Sequence, residues 1–171
     1  MGTGQRESDD AFIRFVVAAS PGLTRTAWLI TGSTDAAREL VQATLVKAYV
    51  HWPRIRAESA MAYCRRILVN ERVDGARRLG RERPTADVEP LARPHVDAAI
   101  AGADERDEVV RLMRRLPAQQ RRIVVLRYYC DLSEEAVAET LGISVGTVKS
   151  SASRALASLR AHLIAQEGGI R

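Results

Sequence analysis

The fold of this 171-residue chain is decided by residues 133–148, which read SEEAVAETLGISVGTV. Ser133 can cap a helix whose first turn carries two acidic residues beside its positive end. Gly142 follows where a left-handed backbone must end that helix, and Ser144 can cap the next one. Ala138 is small enough for two helices to approach closely. This spacing predicts a helix-turn-helix, and the alternative is a plain helical hairpin with a glycine turn.

The second helix of this motif carries short polar side chains and cations in its first turns. Such a surface suits the major groove of DNA better than burial, because short polar groups can reach base edges while cations meet phosphates. The residues that we predict to contact DNA here are Ser144, Thr147, Lys149, Ser150, Ser151 and Arg154.

The rest of the chain is also predicted to be helical, because Ala, Leu, Arg and Glu dominate it. In the first half, apolar spacing predicts a helix from Ser8 that Pro21 and the next glycine end. Further helices are predicted over 23–30, 35–49, 59–79, 104–115, 118–129, 133–141 and from the turn to about 164. A mostly polar stretch with three prolines divides them. We therefore predict an all-α fold with two small helical domains, 8–79 and 105–164, joined by a flexible linker, 80–104.

The placement of charge agrees with a polyanionic partner. The net charge is +5, but residues 52–83 carry nine basic and four acidic groups, and residues 105–163 carry ten and seven. Residues 84–104 hold one basic and four acidic groups. Two basic blocks flanking an acidic spacer favour nucleic acid, whereas ordinary solvated helix surface is the alternative.

Several functional classes are disfavoured by what the sequence contains. Cys64 and Cys130 lie far apart, and the three histidines are scattered, so neither a metal site nor a disulfide framework is expected. We find no catalytic constellation and no phosphate-binding glycine loop, which predicts a protein that is not an enzyme and uses no cofactor. No signal peptide or membrane-spanning run is evident, so we expect a cytoplasmic protein without membrane insertion.

Beyond the motif, the second half resembles the promoter-binding σ4 domain of extracytoplasmic-function (ECF) sigma factors. The strings that carry this resemblance are LPAQQR at 116–121, VLRY at 125–128, LSEEAVA at 132–138, GTVKS at 146–150 and RAL at 154–156. In the first half, 35–45 is similar to the σ2 helix that docks on RNA polymerase, and 62–70 resembles the σ2 helix that faces the −10 element. In order and spacing, the chain is similar to the sigma-70 family, and most to its SigE-like branch.

The resemblance implies a sigma factor that binds core RNA polymerase, through the β′ clamp helices and the β flap, and directs it to promoter DNA. An anti-sigma factor is a further candidate partner. The helix-turn-helix would then recognise the −35 element. Residues implied in −10 recognition are Arg54, Arg56, Arg65, Arg66, Asn70, Arg72, Arg77 and Arg78, and those implied in polymerase binding are Asp35, Glu39, Leu40, Gln42 and Leu45.

Several individual residues bear on the polymerase-binding and DNA-binding roles that the resemblance implies. Ala43 and Ser151 depart from the residues common in the family at their positions. Trp52 precedes the loop in which the family captures an unstacked base, but we expect it to anchor the core. About half of the arginines on the 59–79 helix are expected to pair with neighbouring acids such as Glu58, Glu71 or Asp74 rather than with DNA.

Two other functions are compatible with a helix-turn-helix. The first is a repressor or activator that acts without polymerase, in which residues 1–79 would bind an effector or form a dimer. The second is an RNA-processing enzyme with an appended helix-turn-helix, although the sequence lacks the paired carboxylates or metal cluster that such an enzyme would use. Retention by core polymerase would separate a sigma factor from both.

Overall fold

The structure, a computed structural model, describes residues 3–81 and 103–168, with side chains over 6–71 and 108–166. Every element in these ranges is helical, which confirms the all-α prediction. The N-terminal region (3–81) contains α1 (Thr3–Thr31), α2 (Thr34–His51) and α3 (Ala60–Arg81). The C-terminal region (103–168) contains α4 (Ala103–Arg114), α5 (Ala118–Val124), α6 (Glu134–Leu141) and α7 (Val145–Gly168). None of these helices is long and apolar enough to cross a membrane.

Helix α1 is continuous, so the prediction that Pro21 ends a first helix is wrong. Ala19, Leu23 and Ala27 are buried and follow one another at four-residue intervals on a single face. Packing of that face on both sides of the proline outweighs the one backbone hydrogen bond that proline cannot donate. Ser8 lies inside α1, where it cannot cap the start of the helix.

Helices α2 and α3 pack with α1 to form the core of the N-terminal region. Ser33 caps α2 by accepting a hydrogen bond from the backbone N–H of Ala36 at 3.3 Å. After α2, a 3-10 turn places the ring of Trp52 with its centroid 5.0 Å from that of Phe12 and 5.1 Å from that of Phe15. Trp52 therefore packs against α1, as expected of a core anchor.

The C-terminal region is built around α7, against which α4, α5 and α6 pack. Its buried side chains include Ile123 and Leu126 before the helix-turn-helix and Val137 and Val148 within it. Helix α5 continues into a π-helical turn, Val125–Tyr129, so the chain remains helical to the end of the predicted 118–129 segment. The predicted linker, 80–104, lies outside the described residues except at its two ends, which continue α3 and begin α4.

The two regions contact each other directly. Helix α1 packs against α4, α5 and the π-helical turn, and α3 packs against α6. Across this contact the guanidinium of Arg121 donates a hydrogen bond to the backbone carbonyl of Ile30 at 3.0 Å. The hydroxyl oxygen of Thr26, a buried residue, lies 3.7 Å from the sulfur of Cys130. We call this set of contacts between the regions the closed arrangement.

Candidate nucleic-acid interface

Helices α6 and α7 are joined by the turn that the sequence predicts. Ser133 caps α6 by accepting a hydrogen bond from the Ala136 N–H at 3.1 Å. The pKa of Glu135 is held below its usual value, first because its own backbone N–H donates to the carboxylate and next because the Ser133 hydroxyl does so. At the other end, Gly142 has φ 65° and ψ 38°, and the Ile143 N–H donates to the carbonyl of Ala138. Both ends of α6 are thus satisfied by local groups.

The start of α7 is capped by Ser144. Its hydroxyl oxygen accepts the Thr147 N–H at 3.1 Å and lies 2.8 Å from the Thr147 hydroxyl oxygen. Two of the side chains predicted to meet DNA therefore also order the first turn of the recognition helix. Neighbouring backbone N–H groups at a helix start also attract anions such as phosphate.

The glycine of the turn provides a stability test. In Gly142→Ala the new Cβ would meet no atom within 4 Å, so only the left-handed backbone opposes the change. We expect a loss of about 1 kcal/mol in the free energy of unfolding, measured by urea denaturation. Gly146 lies within α7 without a positive φ, so Gly146→Ala is the matched control and should instead stabilise, by about 0.5–1 kcal/mol. Equal effects of the two substitutions would contradict the assigned turn.

One predicted contact residue faces the core. Ser151 is only 5% exposed and shares its face of α7 with Val148, Ala152 and Ala155, all of which are buried. These four positions recur at intervals of three or four residues, which is the spacing of a single helix face. Ser151 therefore cannot reach a base from this position, and the prediction that it contacts DNA is wrong.

The opposite face of α7 is exposed and cationic. Lys149, Ser150, Ser153 and Arg154 are exposed there, and the Arg154 Nε donates to the Ser150 carbonyl at 3.2 Å. The ammonium of Lys149 lies 3.5 Å from a carboxylate oxygen of Glu134 on α6. Ser153, which the predicted set omits, could have been found because it lies four residues after Lys149 on the same helix face.

The N-terminal region carries a second basic surface on α3 and the loop before it. Arg54 and Arg56 are exposed in that loop, Arg66 and Asn70 are exposed on α3, and Arg65 is half-buried. The side chains of Arg72, Arg77 and Arg78 lie outside the described ones. Glu71, a candidate partner for the arginines of α3, forms an ion pair with Lys47 of α2.

The predicted polymerase-binding residues divide between surface and core. Asp35, Glu39 and Gln42 are exposed on α2, and Leu45 is half-buried. Leu40 is 8% exposed and belongs to the core, because its face of α2 packs inward, so it can support such a surface but not form it. Gln42 and Leu45 border a mainly apolar groove of about 500 Å³ between α1 and α2.

Comparison with known proteins covers both regions. The family described as sigma-70 region 2 matches residues 15–82, and sigma-70 region 4 matches residues 106–159. The chain is 35% identical over 157 residues to the RNA polymerase sigma-E factor of Streptomyces coelicolor, covering 91% of this chain and 88% of that protein. It is 34% identical over 146 residues to the ECF RNA polymerase sigma factor SigM of Mycobacterium tuberculosis, covering 80% and 69%.

Solved structures agree over most of the chain. The sigma factor RpoE in complex with the anti-sigma factor NepR, from Bartonella quintana, matches with a TM-score of 0.68 and 27% identity, over 89% of this chain and 96% of that one. CnrH in complex with the cytosolic domain of CnrY matches with a TM-score of 0.65 and 25% identity, over 92% and 90%. Because sigma-70 regions 2 and 4 occur here in order, and relatives more than 30% identical align along most of their length, this chain belongs to the ECF branch of the sigma-70 family of RNA polymerase sigma factors.

Proposed function

We propose that this sigma factor, a non-catalytic subunit that directs RNA polymerase to promoters, recognises the −35 element with the exposed face of α7. Lys149 and Arg154 would neutralise phosphates, while Ser150 and Ser153 would meet base edges or phosphates. Ser144 and Thr147 would hold the first turn of the helix toward the DNA. The supporting observation is that one α7 face carries exposed cations and short hydroxyl groups while the other face, including Ser151, is packed in the core.

The N-terminal region would recognise the −10 element. Arg54, Arg56 and Arg66 are exposed on one loop and the following helix, and Asn70 lies four residues beyond Arg66. Such a surface suits contact with phosphates and with a base that has left the stack. Because Trp52 packs against α1, we assign base stacking to no aromatic residue of this loop.

Polymerase would bind the outer side of α2. Glu39 and Gln42 would supply polar contacts, and Leu45 would add an apolar contact at the groove between α1 and α2. The β′ clamp helices are the partner that we propose for this surface, and the β flap is proposed for the C-terminal region. Since both partners and the promoter are cytoplasmic in bacteria, we place the activity in the cytoplasm.

An anti-sigma factor is a second proposed partner. The related sigma factor RpoE was solved with the anti-sigma factor NepR, and its fold matches most of this chain. An apolar segment that filled the groove would cover Leu45 and the neighbouring Tyr49, and it would compete with polymerase for the same side of α2.

In vitro transcription with core polymerase tests the proposal. Purified core enzyme with and without this chain would transcribe a fragmented genomic library, and the start sites would be mapped. We expect new start sites that share one upstream sequence near −10 and another near −35. A chain that binds DNA but neither associates with core enzyme nor creates start sites would instead be a polymerase-independent regulator.

A further inference from the structure

Lys149 is the cation nearest the start of the exposed α7 face, and it is paired within the protein. Its side chain is 63% exposed, and its ammonium lies 3.5 Å from a carboxylate oxygen of Glu134, whose side chain is 30% exposed. Glu135 is also close enough for its pKa to be lowered in part by Lys149. A phosphate that approaches Lys149 therefore meets an ammonium that is already paired with an acid on the neighbouring helix.

The cap of α6 does not involve the Glu134 side chain. The Ser133 hydroxyl oxygen caps α6, and the Glu135 carboxylate accepts hydrogen bonds from its own backbone N–H and from the Ser133 hydroxyl. Glu134 stands in the first turn, where a negative charge interacts weakly with the helix dipole. A glutamine there would keep the side-chain shape and leave the cap intact, so the ion pair can be removed without removing the helix.

We propose that Glu134 is a positioning residue that weakens the electrostatic contact between Lys149 and a DNA phosphate. This inference rests on the proposed recognition of the −35 element by α7. The Glu134 carboxylate and a phosphate are both anions, and they compete for the same ammonium at close range. A contact with phosphate strengthens binding to every DNA sequence about equally. Weakening the Lys149 contact therefore lowers the occupancy of non-promoter DNA. Discrimination between base sequences is left to the hydroxyl side chains.

The test measures binding of the full-length chain to a short duplex of mixed sequence, by fluorescence anisotropy over a range of salt concentrations. Variants are Glu134→Gln and the matched control Glu139→Gln, each made with Lys149 and with Lys149→Met. Glu139 is exposed on the same helix, and within the described side chains it forms no ion pair with Lys149. Circular dichroism reports whether each variant retains its helices.

Glu134→Gln should bind the duplex about 1.5-fold to fivefold more tightly at low salt, which is the range expected from releasing one exposed ion pair. The gain should shrink as salt rises and disappear with Lys149→Met, while Glu139→Gln changes affinity less. Equal affinity for Glu134→Gln and the wild type, or a gain that survives Lys149→Met, would overturn the role of Glu134. An unchanged affinity for Lys149→Met alone would overturn instead the proposed contact of Lys149 with phosphate, and with it this inference.

Discussion

Oxidised Thr26→Cys protein is expected to lose promoter-dependent initiation and to regain it when a reductant is added. The Thr26 side chain lies 3.7 Å from the Cys130 sulfur, so a cysteine at residue 26 would face the native thiol across the contact between the regions. A disulfide there would lock the closed arrangement. We expect initiation to fall roughly tenfold or more, because only molecules in which the contacts between the two regions are broken can bind both promoter elements.

The expected loss of initiation follows from the distance between the two promoter elements. Elements centred near −10 and −35 are about 25 base pairs apart, which is about 85 Å along B-form DNA. A folded body of this chain length is only about 40 Å across, and in the closed arrangement both regions belong to one such body. The recognition surfaces that we propose cannot then reach the two elements together, so we expect the contacts between the regions to break when the sigma factor works at a promoter.

The matched control is Thr26→Cys combined with Cys130→Ser, which cannot form the bond and should initiate equally with or without reductant. Cys64 should not interfere, because burial raises the pKa of its thiol to about 11 and keeps it protonated. Non-reducing electrophoresis would report the extent of cross-linking. Full activity of a completely cross-linked protein would mean that the closed arrangement does not obstruct initiation.

The helix-turn-helix could be predicted from sequence because its determinants are local. Ser133, Gly142 and Ser144 each act on backbone groups within four residues of themselves. A capping hydroxyl or a left-handed glycine needs no distant partner, so residue type and spacing carry enough information.

Other features of the fold depend on packing between distant residues or on helical spacing rather than on residue type. Pro21 obeys the local rule for helix ends in sequence, but buried neighbours on both sides keep α1 continuous. Ser151 is polar, but its spacing from Val148 and Ala155 places it on the inner face of α7, so the sequence does contain the signal that contradicts a DNA contact. The contact of Thr26 with Cys130 joins residues 104 positions apart, and no local pattern encodes it.

Replacing both Lys149 and Arg154 with alanine is expected to weaken DNA binding by roughly fivefold to 25-fold near 0.15 M salt, and the smaller loss applies where Glu134 offsets most of the Lys149 contact. Each phosphate contact contributes about 0.9 to the slope of log affinity against log salt, which corresponds to about a fivefold change in affinity at this concentration. The double variant should therefore also lower the magnitude of that slope, by about 0.9 for Arg154 alone and by about 1.8 if Lys149 makes a full contact. Both side chains are exposed on α7 and outside its core-packed face, so little loss of stability is expected.

Arg160→Ala is the matched control for this prediction. Arg160 is an exposed arginine on the same helix, about 22 Å from its start, whereas recognition helices contact DNA mainly through their first turns. Anisotropy titrations of the three proteins at several salt concentrations would provide both affinity and slope. A lower affinity with an unchanged slope would indicate that Lys149 and Arg154 act through the structure of α7 and do not meet phosphate. An equal loss for Arg160→Ala would place the DNA along the whole of α7 rather than at its start.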